Sequence, residues 1–161
     1  MSHFSSIKTK GNLTNAQILA EALNELKIQN VSVHETPQKL RDYYQVRGMS
    51  PRSQQTAEVV IPYENNDLTS DAGFKEVDGE FELVGDEMDL ARLKRRLESL
   101  QSHYAAINVE QQLALITKAA NGKNRGKAIV ERQQLPDGTT VVRLALPGNI
   151  RIANQNQQVI H

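Results

Sequence analysis

Four acidic residues, Asp71, Asp86, Glu87 and Asp89, fall close together along this chain. Carboxylate oxygens hold Mg²⁺ or Ca²⁺ when a loop converges them. The D-x-[DN]-x-[DN]-G frame of a calcium loop is missing, and Asp86-Glu87 is equally the acidic first turn that complements a helix dipole. Asp71 or Asp86 could serve a small enzyme as an acid–base group, given a pocket that shifts its titration. His3 stands beside Ser5 and Ser6. Nucleophilic catalysis needs a base oriented by a third group and an oxyanion hole, and no G-x-S-x-G elbow supplies them. The simpler reading has His3 opening a strand that Phe4 anchors. The histidines, His3, His34, His103 and His161, lack metal-ligand spacing. No catalytic, cofactor-binding or metal position follows from these residues.

Basic residues offer a second chemistry. Arg92, Arg95 and Arg96 share a helical face by three–four spacing, and Lys123, Arg125 and Lys127 form a basic loop. Such a patch could contact phosphates, although a binder of RNA or DNA usually adds exposed aromatics for stacking. Gly122 to Gly126 does not match the G-x-x-x-x-G-K-[ST] phosphate loop.

The elements that must position these groups read as follows. Leu90, Leu93, Leu97, Leu100, Tyr104 and Ile107 recur three and four residues apart, which puts them on one face of a helix. Past Ile107 the rhythm shifts to Val109, Leu113, Ile116 and Ala120. Either one helix from Asp89 to Asn121 bends at Asn108, which is the favoured reading, or two helices meet there with Asn108 as a cap; Asn121-Gly122 is the stop in both cases. An earlier helix, Asn15 to Ile28, opens at Thr14 with Gln17 three residues on, a capping box. Strands are expected at His3 to Thr9, Val31 to Val33 and Ala57 to Tyr63. Asp71 to Val77 and Glu80 to Val84 flank Asp78-Gly79, a strong hairpin signal. Lys127 to Gln133 and Thr139 to Leu146 flank Pro136-Asp137-Gly138, with a short strand at Asn149 to Ala153. Glu35 to Thr56 is interrupted by Pro37, Gly48 and Pro51 and reads as surface loop, with a short strand at Tyr44 to Arg47.

The 161 residues suffice to bury a core, and with aromatics at 4% that core must be mostly Leu, Ile, Val and Ala. Lys+Arg and Asp+Glu are both 19, so no net field draws the chain to nucleic acid or a membrane surface. The absence of Cys removes disulfides and thiolate chemistry. No apolar run reaches the roughly 20 residues of a membrane span, and the first residues lack the apolar stretch of a signal peptide. The expectation is a soluble protein of the cytoplasm or a plastid stroma.

Several short pieces carry a family likeness. They are Ser2-His3-Phe4-Ser5-Ser6-Ile7-Lys8-Thr9, Val46-Arg47-Gly48, and Asp71-Ala72-Gly73-Phe74 with Phe81-Glu82-Leu83-Val84. Leu100-Gln101-Ser102-His103-Tyr104-Ala105 and the Asp137-Gly138 hairpin follow. In this order they resemble the hypothetical chloroplast reading frame thirty-five family, found in algal plastid genomes, cyanobacteria, other bacteria and phages. The region from Thr36 to Ala57 is longer and more polar than that pattern, and the tail beyond Pro147 is extra. The resemblance implies a soluble protein, often of photosynthetic organisms, and transfers no catalytic residue.

The sequence therefore predicts an α+β fold, an antiparallel sheet with its two main helices on one face. A ferredoxin-like split β-α-β unit with extra strands is a candidate topology. Residues 1–153 are expected to form one domain, irregular at about 35–56, and 154–161 a polar tail. The expected function is a non-catalytic accessory or interaction module with a protein partner. The alternatives are a nucleic-acid binder using Arg92, Arg95, Arg96, Lys123, Arg125 and Lys127, and a small enzyme with an acidic site.

Overall fold

The computed structural model describes residues 4–8, 13–120, 129–136, 140–145 and 157–160. In chain order its elements are β1 (Phe4–Lys8), α1 (Ala16–Glu25), β2 (Ser32–Lys39), α2 (Tyr43–Val46), β3 (Thr56–Ile61), β4 (Ala72–Val77), β5 (Glu80–Asp86), α3 (Glu87–Arg96), α4 (Leu100–Ala120), β6 (Ile129–Gln134), β7 (Thr140–Ala145) and β8 (Gln157–Ile160). They fall into two units, Met1–Gln101 and Ser102–His161. Among the described residues no helix is long and apolar enough to cross a membrane.

In the first unit a five-stranded antiparallel sheet has the order β1-β5-β4-β3-β2. Its centre is the hairpin that Asp78-Gly79 predicts. Both residues take positive φ, 52° and 83°, as a two-residue I′ turn requires, and Val77 pairs with Glu80. β2 to β5 form a meander, and β1 closes on β5 with Phe4 opposite Asp86. Every neighbouring pair is antiparallel. The ferredoxin-like topology is not the one adopted: its split β-α-β unit leaves one strand between the two that the helix joins, whereas here α1 joins the two edge strands, β1 and β2, with β3, β4 and β5 between them.

Alternation along the strands puts Val59, Ile61, Phe74, Phe81 and Leu83, all buried, on one face. α1 lays Ile18, Leu19, Ala22 and Leu23 towards the core, and α3 lays Leu90 and Leu93. Leu90 stands 3.3 Å from the place a Gly85 Cβ would occupy, so α3 covers β5 closely. The expected helix-covered sheet is therefore present, and of the predicted row Leu90, Leu93, Leu97 and Leu100, which belong to this unit, are buried, as Tyr104 and Ile107 of the second unit are. Gly73 is required by contact rather than by φ. A Cβ there would lie 2.5 Å from the Val59 carbonyl oxygen and 2.7 Å from Ala57 Cβ.

Several boundaries differ from the sequence reading. The N-cap of α1 is Asn15, whose side-chain oxygen accepts from the Gln17 and Ile18 amides, 3.0 and 3.1 Å. β2 runs on through Pro37 to Lys39 instead of stopping at Val33; Pro37 is tolerated because β2 is an edge strand whose pairing skips between Val33 and Gln38. Tyr43–Val46 is a helical turn, not a strand. The long helix is broken at Leu97–Ser99 and is continuous through Asn108. Leu97 and Leu100 keep helical spacing across the break, which hid it, while Ser99 is a residue type favoured just before a helix start.

In the second unit, Ala105, Val109 and Leu113 pack against buried Ala106 on α4. β6, β7 and β8 form an antiparallel sheet, and Arg132 of β6 pairs with Glu110 of α4 at 2.7 Å. Gln157–Ile160, within the segment whose composition predicts a polar tail, pairs with β7. The expected strand at 149–153 lies outside the described residues.

Candidate functional site

Between β2 and β3 the chain makes an excursion, residues 41–55, that two buried carboxylates organise. Arg41 opens it. The Arg41 backbone N–H and Nε both donate to Asp71 Oδ2, at 3.0 and 2.8 Å, and Nη2 donates to Asp71 Oδ1 at 2.9 Å. Nη1 and Nη2 also donate to Glu64, at 2.7 and 2.9 Å. Asp71 further accepts from the Tyr63 amide, 3.0 Å, and its own N–H returns to the Arg41 carbonyl, 3.0 Å. The guanidinium carbon lies 4.7 Å from the Tyr63 ring centre. This knot ties the excursion to the β3–β4 connection. Hydrogen bonds to Asp71 and then Glu64 keep Arg41 protonated more firmly than usual, and Arg41 in turn holds the Glu64 carboxyl below its usual range.

Asp42 folds the excursion back on itself. Its Oδ1 caps α2 through the Gln45 amide, 2.8 Å, and its Oδ2 accepts from the Arg52 and Ser53 amides, 2.6 and 2.8 Å. Gly48, at φ 78°, makes the reversal between them. The loop so closed presents paired cations and rings. Arg47 lies 3.5 Å over Tyr43, Arg52 lies 4.1 Å over Tyr44, and the two rings meet edge to face at 5.5 Å. Met49 is exposed beside them. Arg52, Tyr44, Phe4 and Gln55 line a cavity of about 370 Å³ at its base.

Burial pushes the Asp42 carboxyl up, but the amides of Gln45, Arg52 and Ser53 outweigh it and hold it below the ordinary value. A lowered folded-state value contributes stability that is complete above the unfolded carboxylate pKa of about 3.9 and is lost as pH falls through the lower folded value. The loop is therefore expected to loosen only in acid, and Asp42→Asn to remove that acid-dependent component. Amide exchange at Arg52 and Ser53 followed from pH 6 down to about pH 3 checks both.

The residues singled out from sequence are placed differently. The acids do not converge, and among the described residues no group of His, Asp and Glu could hold a metal ion. Asp71 is spent on Arg41. Asp86 caps α3 through the Met88 amide, 2.9 Å. Glu87 accepts from the Ser5 hydroxyl, 3.0 Å. Asp89, fully buried, accepts from the backbone and hydroxyl groups of Thr69 and Ser70. Arg92 and Arg96 reach back to the carbonyls of Asp67 and Asn66, and Arg95 is exposed. Lys123, Arg125 and Lys127 lie outside the described residues, as do His3 and His161. His34 lies 2.9 Å from the Ser32 hydroxyl.

The sequence reading missed the arginine–tyrosine loop, although signals for it exist. Asp42 with Gln45 three residues on is a helix-start pattern, and Tyr43 with Arg47 holds four-residue spacing. Tyr43, Tyr44 and Tyr63 are also three of the chain's four tyrosines. Comparisons with curated proteins and with solved structures each returned no match. A family model does match, over residues 22–143, which takes in the excursion, its anchors and the whole β2–β5 meander, and the chain belongs to that family, described as Protein of unknown function (DUF1257).

Proposed function

We propose that this chain is a non-catalytic recognition module that docks a protein partner through the loop from Asp42 to Ser53. The observation that carries this reading is the fixed display of Arg47 on Tyr43 and Arg52 on Tyr44, held by a buried aspartate. Arg and Tyr dominate binding energy at protein interfaces, and rings held in place lose little entropy on docking. Asp71, Asp86 and Asp89, the acids that the small-enzyme reading draws on or that lie beside them in sequence, accept from structural donors. Two guanidinium groups held on one loop suit a partner that offers carboxylates. The family resemblance noted above supports a setting in photosynthetic organisms.

The test compares wild-type chain with the Arg47→Ala/Arg52→Ala double variant as bait in native lysate of the source organism. Both side chains sit on an exposed loop, so the variant is expected to melt with the wild type. A partner identified with the wild type is expected to bind the variant about thirtyfold more weakly. An identical set of captured proteins would overturn the reading. Salt-sensitive retention of the chain on a polyanion column, lost on substituting Arg92, Arg95 and Arg96, would favour nucleic acid instead.

A further inference from the structure

A second cleft, of about 450 Å³, opens on the other side of the meander, where the N-terminus of α1 passes β2, β3 and β4. Val33 and Phe81 supply its apolar wall, and Glu35, Glu58 and Glu76 supply carboxylates. Gln17 and His34 complete its polar lining, and among the described residues no Lys or Arg lines it. Among the described residues, none of the three acids is paired with a cation.

Glu58 is the telling group. It is 7% exposed, on a strand at the inner side of the cleft. Its Oε2 accepts from the Glu76 amide at 2.7 Å, because the β3–β4 ladder stops at Val59 and Phe74. Its Oε1 accepts no hydrogen bond among the described residues. A buried carboxylate oxygen without a donor is costly, and a donor entering the cleft would relieve it.

The donor's chemistry follows from the rest of the lining. Among the described residues no group of three acids is placed to hold a metal ion. An organic cation with an alkyl stem meets both demands. The stem runs along Phe81 and Val33, and an ammonium head carries three N–H donors, enough to serve Glu58 Oε1 and a second carboxylate together. A neutral apolar ligand would leave the acids unserved, and an anion would be repelled by them.

We propose that the cleft formed by Val33, Glu35, Glu58, Glu76 and Phe81 binds a primary alkylammonium group, with Glu58 as its buried acceptor. This site is independent of the arginine–tyrosine loop. The group can come from a free diamine or from a lysine side chain of a peptide.

The full chain is titrated with 1,5-diaminopentane and, separately, with an acetylated and amidated Gly-Lys-Gly peptide. A Gly-norleucine-Gly peptide of the same length serves as the uncharged control. Binding is read by calorimetry and by amide NMR shifts. Saturable shifts at Val33, Glu58 and Phe81 are expected with at least one of the amines. Saturation by diamine alone assigns a small-molecule ligand, and saturation by the lysine peptide alone assigns a partner's side chain. Glu58→Gln retains an acceptor for the Glu76 amide and is expected to weaken binding about tenfold. Glu76→Gln, at an exposed position, is expected to weaken it about threefold and keeps the test open should Glu58→Gln perturb folding. Absence of saturation by either amine, equal binding of the norleucine peptide, or unchanged affinity in both variants would overturn the proposal.

Discussion

Asp71→Ala is expected to lower the free energy of unfolding by about 3 kcal/mol, the low end of what breaking a buried ion pair takes away. The low end applies because only one partner is buried: the Asp71 side chain is 4% exposed, against 40% for Arg41. Most of the loss comes from donors left behind. The amides of Arg41 and Tyr63 lose their acceptor, and the Arg41 guanidinium keeps Glu64 alone. For a chain of this length the melting temperature should fall by roughly 6–12 °C. Asp71→Asn, which keeps one acceptor oxygen, should fall between wild type and alanine. The Arg41→Ala/Asp71→Ala pair should lose less than the sum of the single variants, since each single change strands the other group. Urea unfolding of the wild type, the three single variants and the double variant measures the free energies, and thermal melts the temperature shift. A loss below about 1 kcal/mol for Asp71→Ala would show that the knot holds nothing together.

The second large effect is expected at Asp89, which is buried and among the described residues pairs with no cation. The carboxylate meets only neutral donors, the Thr69 amide at 3.0 Å and hydroxyl at 3.0 Å, and the Ser70 amide at 3.1 Å and hydroxyl at 3.2 Å. It also lies in the first turn of α3, where the helix dipole favours a negative charge. Asp89→Ala leaves the buried amide and hydroxyl of Ser70 and the half-buried ones of Thr69 without their acceptor, and is expected to lower unfolding free energy by about 3 kcal/mol. The connection at Thr69 and Ser70 should then exchange its amides faster than the β4–β5 hairpin does. Thr69→Val, which removes one hydroxyl and leaves the carboxylate, should change stability by only about 1 kcal/mol. Equal losses in the two variants would mean that the carboxylate is not the organising group.

The sequence made the sheet legible where local chemistry and long-range packing agree. Asp78-Gly79 marks its turn because two adjacent positive φ values select those residues. Val59 and Ile61 mark a buried strand because β-branched side chains suit a packed pleat. Legibility failed where a side chain replaces a backbone partner from far away. Asp71 to Arg41 and Asp89 to Ser70 are separated by 30 and 19 residues, and no spacing rule links them. The same four acids therefore read as a cluster along the chain and as separate braces in space. Pro and Gly mark Glu35 to Thr56 as loop, which holds for Arg41 to Gln55 apart from the helical turn at Tyr43–Val46, and fails for Glu35 to Lys39, which belong to β2. The excursion's order comes from Asp42 reaching Arg52 and Ser53, which hydropathy cannot register.

β1 adds to the sheet across a separation of 82 residues, Phe4 against Asp86, while each later strand pairs with its chain neighbour. Closing so wide a span carries a larger entropy toll than the short turns of the meander, so β1 is expected to dock after the meander has formed. Until it arrives, the outer side of β5 is an unpaired border whose amides and carbonyls accept any strand of matching pattern. The first such strand met at high concentration is the same segment of another molecule. Refolding this protein from denaturant should thus yield strand-exchanged dimers in proportion to concentration, and the chain emerging from a ribosome, alone with its own β1, should escape them.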